Sequence, residues 1–167
     1  MKKIYLCVLI IISIIFSMSV PALSYFEKKD PFISVDGSKV FCFDDGSSLS
    51  ITAPKVVFSG YDSEKTLHTK TVQIDASFTD SNGEYEWLYT LTCVFSYEYG
   101  VSSTCSIASY SQAIYKGNWT FSNGAASASG NRGTGTGLYE RKVLFITVQS
   151  INVLLTMACD IYGNVTA

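Results

Sequence analysis

The chain has 167 residues, with 12 Lys and Arg against 14 Asp and Glu, a formal charge of −2, and 47% hydrophobic and 14% aromatic residues. A slightly acidic balance disfavours nucleic acid and anionic membrane as partners, since both recruit basic patches. One histidine, His68, and no Cys-x-x-Cys pair leave a zinc site almost nothing to be built from, so neither metal nor cofactor is expected.

The N-terminus sets the expected compartment. Met1-Lys2-Lys3 is a short positive region, and residues 4–20 are apolar except for Ser13, Ser17 and Ser19. The stretch ends in Val20-Pro21-Ala22 and Ala22-Leu23-Ser24, both small-x-small. That is the layout of a secretory signal, and it is short for a membrane span of ~20 residues. The expectation is a signal peptide over 1–24, cleaved near 22–24, and one secreted β domain over 25–167 with no membrane span after cleavage. Cys7 lies at the start of the apolar stretch rather than its end, which argues against a lipoprotein, and it leaves with the signal. Loss of Lys2 and Lys3 takes the formal charge from −2 to −4.

In the mature chain no apolar period of 3.6 persists beyond a turn or two, so strands are expected throughout. Residues 39–43 and 48–58 read as weak strands, and Pro54 marks the second as an edge or a broken strand. The pattern is clearest over 71–97. Val72, Ile74, Ala76 and Phe78 alternate with polar residues, and Trp87, Tyr89, Leu91, Cys93, Phe95 and Tyr97 share a face. Between them lies Asp80-Ser81-Asn82-Gly83-Glu84. Asn-Gly favours a two-residue hairpin turn, whose central residues both need positive φ. With Asn82-Gly83 in that turn, Phe78 meets Trp87, Ala76 meets Tyr89, Ile74 meets Leu91 and Val72 meets Cys93. A one-residue slip would break this match, setting Ile74 opposite Thr90 or Thr92.

Glu98-Tyr99-Gly100 then reads as a three-residue loop. It places Val101, Ser103, Cys105 and Ile107 on the face of Phe95, with Cys105 opposite Cys93. Residues 113–122 read as one strand. The small residues of 125–130 and 133–137 read as a flexible loop flanking a strand, or as a place where another backbone comes close. Residues 141–149 form a near-continuous apolar run, as in a strand buried on both faces. Val153, Leu155, Met157, Cys159 and Ile161 alternate before Tyr162-Gly163-Asn164. About eight strands joined by short turns point to an all-β protein, an antiparallel β-sandwich or small barrel. The likeness to an immunoglobulin fold is only loose, because no tryptophan soon follows Cys93 and eight residues remain after Cys159.

Residues 85–165 resemble a group of small exported proteins of anaerobic Gram-positive bacteria, each a signal peptide followed by one β domain of unknown function. The resemblance is carried by Leu91-Thr92-Cys93 through Tyr97, Thr104-Cys105-Ser106, Trp119, and the run Ala126-Ser127-Ala128-Ser129-Gly130-Asn131. It continues in Leu155-Thr156-Met157-Ala158-Cys159-Asp160 with Gly163-Asn164. It implies a secreted β domain and a bond between the cysteines at 105 and 159, and supplies no catalytic residue. Four cysteines remain after signal cleavage, an even number outside the cytoplasm, which reads as two disulfides. Strand adjacency alone allows Cys93–Cys105 with Cys42–Cys159. A longer closed loop removes more unfolded-state entropy, and the last strand needs fastening, which with the resemblance favours Cys105–Cys159 and Cys42–Cys93.

His68 reads as an exposed loop residue rather than a general base, since no nucleophile motif accompanies it. Asp80–Glu84 and Asp44-Asp45-Gly46 read as turns rather than calcium loops. The glycines at 130, 133, 135 and 137 fit neither phosphate-loop spacing, and no helix follows them. The sequons at Asn118 and Asn164 read as coincidence. Aromatics alone carry functional content: Tyr99, Tyr110, Tyr115 and Trp119 fall where an inward face should not use them, as in carbohydrate- or protein-contact surfaces. The expected function is therefore a non-catalytic secreted interaction or envelope-associated module, whose partner is an extracellular protein, an envelope component or a glycan. The alternative is a carbohydrate-binding module using these Tyr and Trp residues. Their co-planar exposure would favour it.

Overall fold

Alternating apolar and polar side chains let the chain bury its hydrophobic half by stacking two sheets face to face. In a computed structural model that describes residues 32–33, 37–64 and 66–167, this is what forms. The expected signal peptide, its cleavage site and Cys7 lie outside the described residues. Among the described residues eleven strands make two antiparallel sheets, and no helix occurs.

The first sheet holds β1 (Phe32–Ile33), β2 (Lys39–Cys42), β3 (Ser48–Ile51), β4 (Lys55–Asp62), β5 (Leu67–Thr79), β6 (Tyr85–Glu98) and β7 (Ser102–Ile114). Their order is β1-β2-β3-β5-β6-β7, with β4 also beside β5. The second holds β8 (Trp119–Ser129), β9 (Arg132–Val143), β10 (Ile146–Cys159) and β11 (Val165–Thr166), in the order β11-β10-β9-β8. The layers lock through aromatic rings with polar ends. Trp87 stacks on Tyr139 with centroids 3.9 Å apart, and the hydroxyls of Tyr139 and Tyr89 donate to the carbonyls of Leu88 (3.0 Å) and Thr136 (3.1 Å). Burial raises both phenols, that of Tyr89 to about 12, so each stays a neutral donor.

The β5–β6 register is the expected one. Val72 pairs with Cys93, Ile74 with Leu91, Ala76 with Tyr89 and Phe78 with Trp87, and all eight are fully buried. The turn differs. Asp80 NH donates to Glu84 CO and Gly83 NH to Asp80 CO, a three-residue loop in which Gly83 has φ +79° and Asn82 is not left-handed. A bulge between Phe78 and Thr79 absorbs the extra residue and restores the register. The same loop recurs at Phe43–Ser47 and Asp160–Asn164, with Gly46 and Gly163 at φ +82° and +81°.

Four further expectations give way to tertiary packing. In the β6–β7 hairpin Glu98 pairs with Ser102, and a bulge after Val94 sets Phe95 opposite Cys105 and Cys93 opposite Ala108. That bulge turns Ile107 out into solvent, where Val101 also lies. Residues 113–122 are two strands rather than one, split between Ile114 and Trp119. The small residues of 125–137 are no flexible loop but the β8–β9 hairpin, closed by Gly130-Asn131 with Gly130 at φ +56°. Gly133, Gly135 and Gly137 face the first sheet from β9. A Cβ on each would overlap or crowd, respectively, the Cys93 sulfur, the Tyr89 hydroxyl (2.7 Å) and the Phe121 ring. Residues 141–149, expected as a doubly buried strand, instead cross a hairpin tip at Leu144-Phe145 that is open to water.

Among the described residues Cys42, Cys93, Cys105 and Cys159 are free thiols, with neither of the expected Cys105–Cys159 and Cys42–Cys93 bonds at bonding distance. The register forbids the second pair. Cys42 is level with Ser48 and Thr79, whereas Cys93 is level with Val72, about 20 Å further along β5. A disulfide needs Cα atoms within ~7 Å. Cys93, Cys105 and Cys159 are buried, and burial pushes the Cys93 thiol up to about 12.

Candidate functional site

The four aromatic candidates do not form one surface. Trp119, 3% exposed, is core: its ring lies edge-on to Phe78 (5.3 Å) and Trp87 (6.1 Å), and its indole NH donates to the buried Glu86 carboxylate. Tyr110 lies flat against Tyr89 at 5.6 Å, closing the sheet edge beneath Gly124. Tyr99 is exposed on the β6–β7 loop, edge-on to Tyr162. Tyr115 is exposed near the other end of β6, about 40 Å away along the strand. Four aromatics in one stretch of sequence thus serve four different places. His68 lies in β5 rather than in a loop, between the rings of Tyr61 (4.5 Å) and Tyr97 (5.0 Å), and takes a stacking role. Among the described residues no three His, Cys, Asp or Glu side chains are placed to hold a metal ion.

Two surfaces at the Tyr115 end carry unusual chemistry. The first is the β9–β10 tip. Leu144 and Phe145 form a two-residue turn with φ +47° and +69°, values that suit Asn-Gly and that bulky side chains seldom take. Leu144 is 86% exposed and Phe145 99%, and Val143, Ile146 and Val148 beside them are at least 47% exposed. The expectation of burial failed here because a continuous apolar run looks the same whether a sheet covers it or nothing does.

The second is a groove on the outer face of the first sheet, lined by Thr52, Asp75, Ser77, Tyr85, Leu88 and Tyr115, with a volume of about 290 Å³. Asp75, Ser77 and Leu88 are outward residues of neighbouring β5 and β6, with Ser77 opposite Leu88. Tyr85 and Tyr115 stand exposed at one end, centroids 6.4 Å apart and planes tilted by 58°. Asp75 accepts a hydrogen bond from Thr90 Oγ1 at 2.5 Å, and its backbone is tied to Thr52 by Thr52 NH (2.9 Å) and Thr52 Oγ1 (3.0 Å). Thr52, Ala53 and Pro54 interrupt the long strand that β3 and β4 would otherwise make along β5. The gap opens a second hollow of about 490 Å³ that shares Thr52 and Asp75 with the first and runs to Lys55 and Gln73.

Sequence reading found Tyr115 and missed Tyr85 and Asp75. Simple alternation sets Tyr85 on the inward face with Trp87. The bulge at the β5–β6 turn instead pairs Tyr85 with outward-facing Thr79 and sends its ring out. Asp75 did carry a signal, as a carboxylate at the centre of a strand whose odd positions face water. Comparison of the chain with protein families, curated proteins and solved structures found no match.

Proposed function

We propose that this protein is a non-catalytic exported module that contacts another macromolecule of the extracellular space or the cell envelope through the β9–β10 tip. The observation that carries the reading is the backbone of Leu144 and Phe145. Left-handed bulky residues cost ~1–2 kcal/mol each, and here they hold two apolar side chains in water with no packing in return. Apolar side chains exposed together in this way mark contact sites. Export is supported by the Met1-Lys2-Lys3 region, the apolar stretch and the small-x-small site.

The exported protein should co-sediment with envelopes of the producing cell, and the double variant Leu144→Asn/Phe145→Gly should not. Equal sedimentation of the two proteins would overturn the role of the tip. Mass spectrometry should give a mature N-terminus near Leu23 or Tyr25, and an intact chain would overturn export with cleavage.

A further inference from the structure

A second surface, separate from the tip, has ligand chemistry of its own. We infer that the groove between Tyr85, Tyr115 and Asp75 is a binding site for a neutral, soluble oligosaccharide chain. The C–H face of a pyranose is apolar and its rim is hydroxyl, so its receptor needs an aromatic face next to hydrogen-bonding oxygens. Tyr85 and Tyr115 supply the first, both exposed and set beside each other. Asp75, Ser77 and Thr52 supply the second within the same hollow. A carboxylate takes charge-assisted bonds from sugar hydroxyls and repels acidic ligands, which selects a neutral chain. Thr90 donates to the Asp75 carboxylate and Thr52 ties the Asp75 backbone, so the carboxylate is held before a ligand arrives.

The shape narrows the class further. Rings tilted by 58° form a notch rather than a flat platform, which suits a flexible chain or its end and not the surface of a packed polysaccharide. The continuation past Thr52 and Asp75 to Gln73 and Lys55 gives room for more than one sugar. That continuation lies where Pro54 breaks the strand beside it, so a local fault in the sheet lengthens the groove.

Isothermal titration of the exported protein with a panel of soluble neutral probes (cellotetraose, maltotetraose, chitotetraose and mannotetraose) tests the inference. At least one should bind saturably. Asp75→Asn and the double variant Tyr85→Ala/Tyr115→Ala should each weaken that binding by about tenfold or more. In wild-type protein the amide NMR shifts moved by the sugar should centre on Thr52, Asp75, Ser77 and Leu88, a readout that does not rely on the variants folding. Leu144→Asn/Phe145→Gly should bind the sugar unchanged, so failure at the tip and failure at the groove are separable. Silence across the panel, unchanged binding in the tyrosine variant, or shifts centred elsewhere would overturn the site.

Discussion

The two long hairpins β5–β6 and β9–β10 bury similar lengths of chain and are built on opposite plans. In β5–β6 large residues face large ones, Phe78 opposite Trp87 and Ile74 opposite Leu91, and the tip is an Asp-braced loop with glycine at its left-handed position. In β9–β10 large residues face glycines, Val153 opposite Gly137, Leu155 opposite Gly135 and Met157 opposite Gly133, and the tip sets Leu and Phe where glycine belongs. The first hairpin is consistent at every level and pairs correctly on its own terms. The second is completed only by the other sheet, whose Tyr89, Leu91 and Cys93 reach into the space that the glycines leave. Its tip is completed by nothing in the described chain. One hairpin is thus specified by its own cross-strand pairs, whereas the arms of the other answer to packing across the sandwich and its tip is packed by nothing among the described residues.

The arms give the largest expected effect. Gly137→Val would drive methyl groups into the Phe121 ring and toward Tyr89, and should cost about 3 kcal/mol in urea unfolding. The reciprocal change in the first hairpin, Ala76→Gly, should cost only about 1 kcal/mol. A Gly137→Val protein as stable as the wild type would mean that the glycine face is not locked against the first sheet. Next come the tips. Leu144→Asn/Phe145→Gly should raise stability by roughly 1–3 kcal/mol, because the turn then has side chains suited to its backbone. Lost stability would mean that the tip packs within the fold, and the contrast between the hairpins would collapse.

The smallest effect is a dependence on pH at the first tip. Asp80 accepts the NH groups of Glu84 and Asn82, and these hydrogen bonds hold its carboxyl below the ordinary 3.8. A folded-state pKa lowered in this way adds stability above the unfolded value, and that stability is lost as pH falls through the folded one. Wild type should therefore exceed Asp80→Asn in urea midpoint at pH 7, with the gap closing below pH 3.8. A gap that stayed constant with pH would show that the brace does not depend on the charge. The Leu144-Phe145 tip holds no such group, so the tip double variant should show a gap independent of pH.

Local pattern was enough to determine the strand character of the chain, the β5–β6 register and the break at Pro54. Each depends on neighbours a few residues apart: alternation along one strand, apolar residues meeting across one turn, and a proline that cannot donate. Where the pattern misled, the missing information was a bulge within a hairpin or the presence or absence of a partner distant in sequence. Glycines at 133, 135 and 137 look like a loop until Tyr89 and Phe121 occupy the space above them. An apolar run at 141–149 looks buried until the tip at Leu144-Phe145 is seen to stand in water with nothing packed over it. Cys42 looks able to reach Cys93 until the register sets them at different levels of the first sheet. The groove belongs to the same class. Asp75 and Tyr115 are visible in the sequence, but Tyr85 joins them only because a bulge reverses its face. Side-chain alternation is a property of one strand, whereas burial and site geometry are properties of which strands meet, and only the folded sandwich decides that.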